Sequence, residues 1–292
     1  MCGRYVLEFD HDLYVGDRKV GTDIYNYNVA PTATVPILVD RLEGDAGNFT
    51  REMHAARWGL LPTWAKDATF SAKAFNARSE TIFEKPTFRA AATSGHCAIP
   101  VTGYYEWKTH TTAGGKTTKT PHFIYRADGQ PIYFAGLYSW WKITEAEAQR
   151  EKSAYPDQAG QWLLSCSIIT MDAPDELDVA DLAAAGHDET TTAQLSQLHD
   201  RLPLPLSFTG SPDDDITLWL RSGKPAGTPG EKPTGHDTVN ARNALATITE
   251  HAYAQTPHWR MHPVSTDVGN VRNNAHHLIE PVEDLFSELP AH

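Results

Sequence analysis

Apolar residues along this chain fall mostly in short runs, often alternating with polar ones, and the runs are punctuated by Gly, Pro, Asn and Asp. That period-two pattern predicts strands over residues 2–7, 35–39, 55–60, 97–107, 122–126, 132–140 and 162–171, with a short late strand at 262–265. Asp128-Gly129 lies between two of these runs and predicts a hairpin turn. Helical signals are fewer. One helix is expected near 86–92. A second starts at Ser211-Pro212 with Asp213, Asp214 and Asp215 in its first turn, where acids suit the positive end of the helix. A third is expected within 238–251. Residues 40–50 and 224–235 read as surface loops, 109–120 as a Thr-, Gly- and Lys-rich hairpin tip, and the acidic stretch 172–192 as an excursion from the core. There is no internal repeat and no segment with linker composition. The expectation is one α+β domain: a mixed, largely antiparallel, barrel-like sheet with flanking helices.

Composition narrows the class. A chain of 292 residues, 40% of them hydrophobic, can bury a sizeable core. No apolar run approaches the ~18 residues of a membrane span. The first residues lack a basic region followed by an apolar one, so no secretory leader is expected and a cytoplasmic location follows by default. Cys2, Cys97 and Cys166 form no paired framework, which suits a reducing compartment. The net charge of -12 argues against nucleic acid as a partner, but its distribution weakens the objection. Residues 143–215 hold 15 acidic against 3 basic side chains and account for the whole net charge. Residues 51–108 hold 8 basic against 5 acidic ones. Binding follows the local field, so a DNA-facing surface fits the second stretch. Charge alone still favours two ordinary solvated surfaces.

Several residues are candidates for chemistry. Removal of Met1 would leave Cys2 with a free α-amine beside its thiol. The two groups have ordinary pKa values of about 7.7–8.0 and about 8.5, so both have usable nucleophilic fractions near neutrality. An aldehyde condensing with the amine gives a Schiff base, and the thiol can then close on the imine carbon to a thiazolidine. An internal cysteine cannot do this; a frayed terminus with an incidental Cys is the plainer alternative. Glu106, in Gly103-Tyr104-Tyr105-Glu106-Trp107-Lys108, ends an apolar strand between large aromatics, where desolvation favours a general acid/base role; an outward Glu paired with Lys108 is the alternative. His199 precedes Asp200-Arg201-Leu202-Pro203, where Pro203 and Pro205 disfavour regular structure and Asp200 or Arg201 can fix a loop; it is one of 14 histidines. Asn76 can orient an amine without charge of its own, and Arg78 can grip phosphate. Arg4, two residues from Cys2, shares its face if both lie on a strand. Either Arg can equally be a surface ion pair. Trp58 reads as core, whereas Trp64, after a Pro turn and before Lys66, is the candidate to stack on bases. Metal chemistry has no motif: CxxC and HExxH are absent, and His276-His277 lacks ligand spacing.

Each of these signals is weak alone, but their order is specific. Met1-Cys2-Gly3-Arg4-Tyr5, Tyr27-Asn28-Val29-Ala30-Pro31-Thr32, Arg57-Trp58-Gly59-Leu60, Asn76-Ala77-Arg78-Ser79-Glu80-Thr81, Gly103-Tyr104-Tyr105-Glu106-Trp107, His199-Asp200-Arg201-Leu202-Pro203 and His262-Pro263-Val264-Ser265 together resemble the SOS-response-associated peptidase family, also known as abasic-site processing proteins. The resemblance runs from Cys2 to about Val282. The departures are insertions near 109–120, 143–161, 172–192 and 224–235, which put surface partners in doubt. The resemblance implies a compact α+β fold with a DNA-binding cleft, and capture of abasic sites in single-stranded DNA or at strand junctions. It implies Cys2 as the nucleophile and Asn76, Glu106 and His199 as its catalytic partners, with Arg4, Arg78 and Trp64 on DNA. No metal or organic cofactor is expected. The family's peptidase label refers to autoproteolytic exposure of Cys2; with only Met1 ahead of it, an ordinary aminopeptidase suffices.

Two other readings remain open from the residues. Met-Cys-Gly also opens glutamine amidotransferases with an N-terminal nucleophile, although those carry an Asn-Gly oxyanion element that is missing here. A non-catalytic reader of modified DNA bases would need the cleft but not Cys2.

Overall fold

The structure, a computed structural model, describes residues 2–15, 18–43, 48–111, 115–223 and 235–283. Its strands join in one sheet. β1 (Arg4–Val15) pairs antiparallel with β2 (Arg18–Val29), and β3 (Thr34–Glu43) with β4 (Asn48–Trp58). β5 (Asn76–Arg78) is short. β6 (His96–Val101), β7 (Gly103–Thr111), β8 (Thr117–Arg126), β9 (Ile132–Lys142) and β10 (Trp162–Asp172) follow. β11 (Arg201–Pro203), β12 (Pro205–Leu206) and β13 (Trp259–Pro263) complete the sheet.

Pairing proceeds β10–β9–β6–β3–β4, and β4 returns to β10 in parallel through Ser165 with Arg57 and Cys166 with Trp58. These five strands therefore close a barrel, and β1, β7, β8 and β13 extend the sheet away from it. β6 is buried at every position and β10 at nearly every one, the signature of strands covered on both faces. Trp58, Phe134, Leu137, Ile168 and Trp219 fill the core. The expected mixed, mostly antiparallel barrel is what the chain forms.

The differences from expectation have local causes. Of residues 40–50, expected as a loop, 40–43 and 48–50 are instead the facing ends of β3 and β4, and 44–47 lie outside the described residues. Their polarity misleads because Asp40 is buried and accepts from both Arg51, at 2.8 Å, and Arg221, at 2.9 Å. The single strand expected over 97–107 is two, β6 and β7, broken at Thr102. The hairpin expected at 109–120 is present, with the strands reaching Thr111 and Thr117. Pro203 and Pro205 sit in strands after all, because β11 and β12 each pair on one side only and spare the missing N–H.

Helices are more numerous than expected. α1 (Arg89–Ser94) starts later than residue 86. α2 (Glu145–Ala148) and α3 (Glu176–Ala184) lie in the insertions near 143–161 and 172–192, and α4 (Thr190–Ser196) starts at the end of the second. α5 (Asp215–Ser222) begins at Asp214, whose carboxylate caps the Thr217 N–H at 2.8 Å, so only Asp215 lies in its first turn. α6 (Gly235–His251) matches the third expected helix. The late strand lies at Trp259–Pro263, slightly earlier than predicted. The loop expected at 224–235 lies, apart from its last residue, outside the described residues, as does Met1. Among the described residues, no helix is long and apolar enough to cross a membrane.

Candidate functional site

Cys2 is fully buried just ahead of β1, so it does not share a strand face with Arg4; its thiol instead leans on the Arg4 carbonyl at 3.9 Å. The register of β1 against β7 sets Arg4 opposite Tyr105. Continuing that antiparallel register brings the residue before Arg4 level with Glu106. Glu106 is buried, and its Oε1 accepts the Trp107 N–H at 3.2 Å. Burial first, and then the negative charge of Glu106, push the Cys2 thiol well above its ordinary pKa.

Asn76 reaches the same point from β5. Its backbone is fixed from two sides: Ile168 of β10 pairs with it, and Trp58 donates its indole N–H to the preceding Phe75 carbonyl at 2.9 Å. Asn76 Nδ2 then donates to the Cys2 carbonyl at 2.7 Å, while its buried Oδ1 has no hydrogen-bond partner among the described residues. An unmatched buried acceptor beside Cys2 suits a donor such as an α-ammonium.

His199 stands between α4 and β11. Its Nδ1 lies 3.0 Å from the Arg201 N–H and 2.6 Å from Asp200 Oδ1, so two groups compete for one nitrogen. A cavity of about 420 Å³ is lined by His199, Glu106, Trp107, Thr109 and Lys119. Cys2, Asn76 and Glu106 are thus brought together, and the cavity joins Glu106 to His199.

The three expected DNA contacts differ from one another. Trp64 is exposed, edge-on to Phe70 at 5.1 Å between ring centres. Arg78 is exposed and, among the described residues, has no ion-pair partner. Arg4 is partly committed inward. Its Nη1 donates to Asn28 Oδ1 at 2.9 Å and to the Val268 carbonyl at 2.8 Å, and burial lowers its pKa. Trp58 is core, as expected. Among the described residues, no group of His, Cys, Asp and Glu is arranged to hold a metal.

Lys119, Thr109 and Asn28 escaped sequence reasoning. Thr109 and Lys119 face each other across the β7–β8 hairpin, a pairing hidden by low-complexity composition. Asn28 is buried, and its Nδ2 spans the Val268, Asn270 and Asn273 carbonyls at 2.9–3.2 Å, tying the late segment to the start of β1 through Arg4. Its position in the Tyr27-Asn28-Val29-Ala30-Pro31 block was the available signal.

A closed barrel with Cys2 held by an asparagine and flanked by a buried glutamate defines a narrow class. The family profile described as SOS response associated peptidase (SRAP) matches residues 1–271, and the chain belongs to that family. It is 32% identical over 226 residues to the abasic site processing protein YoqW of Bacillus subtilis, covering 75% of this chain and 80% of that one. It is 26% identical over 295 residues to the abasic site processing protein HMCES of Rattus norvegicus, covering 91% of this chain and 67% of the relative. A crystal structure of a protein from Bacteroides thetaiotaomicron shares the fold, with a TM-score of 0.54, 21% identity, and coverage of 88% and 86%.

Proposed function

We propose that this protein captures abasic sites in single-stranded DNA covalently through Cys2, once Met1 is removed. The observation that carries this reading is the Asn76 amide on the Cys2 carbonyl at 2.7 Å, with an unmatched buried oxygen on the same side chain. The aldehyde carbon of the opened deoxyribose accepts the α-amine, and water leaves as the Schiff base forms. The Cys2 sulfur then adds to the imine carbon, and its proton passes to the nitrogen, closing a thiazolidine. Asn76 Oδ1 orients the amine. Glu106 carries protons during condensation and closure, and His199 assists opening of the sugar hemiacetal from across the shared cavity. Arg78 and the outward part of Arg4 take flanking phosphates, and Trp64 stacks on a neighbouring base. An abasic nucleotide has no base to unstack, which lowers the cost of reaching the site.

Burial of the thiol beside Glu106 supports an order. The thiol stays protonated while the amine attacks first, and sulfur acts second, within the Schiff base. The test is incubation of the Met1-free protein with an abasic oligonucleotide, followed by denaturing electrophoresis. A heat-stable adduct is expected from the wild type. Cys2→Ala loses it but keeps a borohydride-trappable Schiff base, and a protein retaining Met1 loses both. Normal crosslinking by the Met1-blocked protein would defeat the reading.

A further inference from the structure

Arg201 has no assigned part in this chemistry, yet two sets of bonds converge on it. Its main-chain N–H donates to His199 Nδ1 at 3.0 Å. Its guanidinium, only 6% exposed, forms a two-pronged pair with Glu80, Nη1 to Oε1 at 2.7 Å and Nη2 to Oε2 at 3.1 Å. Nη1 also donates to Asp172 Oδ1, and Nη2 to the Thr170 carbonyl at 2.7 Å. Glu80 lies two residues past β5, the strand that carries Asn76 and Arg78. A single buried side chain therefore bolts the His199 segment to the Asn76 segment, with β10 between them pairing to both.

We propose that Arg201 is a positioning residue for His199: its N–H holds Nδ1 as an acceptor, which puts the neutral ring's proton on Nε2, and its guanidinium clamp on Glu80 keeps that N–H in place. The inference rests on the capture reading for its kinetic consequence, and the tautomer assignment rests on the Arg201 N–H contact together with the exposure of Asp200. A neutral imidazole has one donor and one acceptor nitrogen, so an N–H aimed at Nδ1 selects the tautomer. Asp200 Oδ1 favours the opposite state, with a proton on Nδ1, but its side chain is 82% exposed and water competes for it. Loosening the clamp removes the Arg201 N–H from Nδ1 and hands that nitrogen to Asp200. Nε2 then becomes an acceptor, and a donor is lost. Burial opposes ionisation of both Glu80 and Arg201, yet their mutual bonds outweigh it: Glu80 is held below the usual carboxylate range and Arg201 above its own, so the pair stays charged.

The experiment uses Met1-free full-length protein with 15N-labelled histidine, as wild type, Arg201→Lys and Glu80→Gln. The lysine keeps the charge but loses the two-pronged geometry. Glu80 is 44% exposed, so its glutamine variant keeps the assay readable if Arg201→Lys does not fold. Nitrogen spectra of His199 are expected to show Nε2–H in the wild type and a shift towards Nδ1–H in the variants. Single-turnover crosslinking at saturating protein is expected to slow by up to about 100-fold, the scale of a small misplacement of a reacting group, with affinity for undamaged single strands unchanged. An unchanged His199 spectrum in Glu80→Gln overturns the proposal whatever the rates do. A shifted spectrum with an unchanged crosslinking rate overturns the positioning role. A wild type that forms no crosslink defeats the capture reading instead, and the spectra alone then decide the clamp.

Discussion

Cys2 is a buried thiol beside a buried carboxylate, and that neighbour sets how the sulfur reacts with anything small. Burial and the Glu106 charge both raise its pKa, so the thiolate fraction at neutral pH is low. Met1-free protein is therefore expected to react with iodoacetamide at Cys2 more slowly than free cysteine does at pH 8. Glu106→Gln removes the raising charge and should speed that alkylation while slowing crosslinking by about 10²- to 10⁴-fold, the usual contribution of a proton-transfer group. Mass-spectrometric alkylation rates beside gel-based crosslinking rates check both signs; slower alkylation in the glutamine variant would contradict the electrostatic account. Gly59 is another single-residue constraint. Its φ of +131° and a backbone path against the Ser71 carbonyl leave no room for a Cβ. Gly59→Ala is expected to cost at least about 2 kcal/mol in urea unfolding, from strain and overpacking together.

At the scale of elements, the insertion carrying α2 braces the segment that presents Trp64. Glu147 is fully buried and accepts the Ala68 N–H at 3.0 Å, Arg150 at 2.9 and 3.1 Å, and Ser153 at 2.7 Å. Trp141 donates to the Ala65 carbonyl at 2.9 Å, on the other side of Lys66. Glu147→Ala leaves a buried N–H unmatched, at a cost of about 1–3 kcal/mol. Single-strand affinity is expected to fall through a loosened Trp64 segment, while the crosslinking rate at saturation holds; filter binding beside single-turnover kinetics separates the two. Such a brace was not legible in the sequence, where 143–161 is only an acidic departure from the family pattern. The barrel strands were legible, because burial on both faces leaves near-continuous apolar runs such as those of β6 and β10. The facing ends of β3 and β4 were not, because buried Asp40 is satisfied by Arg51 across the strand pair and by Arg221, far along the chain. For the candidate site, Cys2, Asn76, Glu106 and His199 were named from motif order. The Arg201–Glu80 pair, joining residues 121 positions apart, has no local pattern to reveal it.

The whole molecule carries its charge unevenly, and its stability should feel acid through a residue far from the site. Arg78, exposed and without an ion-pair partner among the described residues, is expected to set part of the salt dependence of DNA binding: Arg78→Ala should reduce the slope of log K against log salt by about 1, across sequences alike. Arg4→Ala should cost stability as well, since it releases Asn28 and the Val268 carbonyl. His96 is buried, stacked on Trp219 at 3.8 Å, and burial lowers its pKa to about 4. The unfolded chain takes up that proton near pH 6.5 and the folded one only near pH 4, so stability falls as pH drops through this window, by a total of about 3 kcal/mol. Urea unfolding at pH 7 and pH 4.5, with His96→Phe losing most of the difference, is the check. The barrel's closure between β4 and β10 has a further consequence in time rather than in energy. A ring of strands cannot peel from an end, so the amides that seal it, around Trp58 and Cys166, have no partial opening through which to meet solvent. Their deuterium uptake should be the slowest in the chain and should share one rate, that of the whole barrel coming apart.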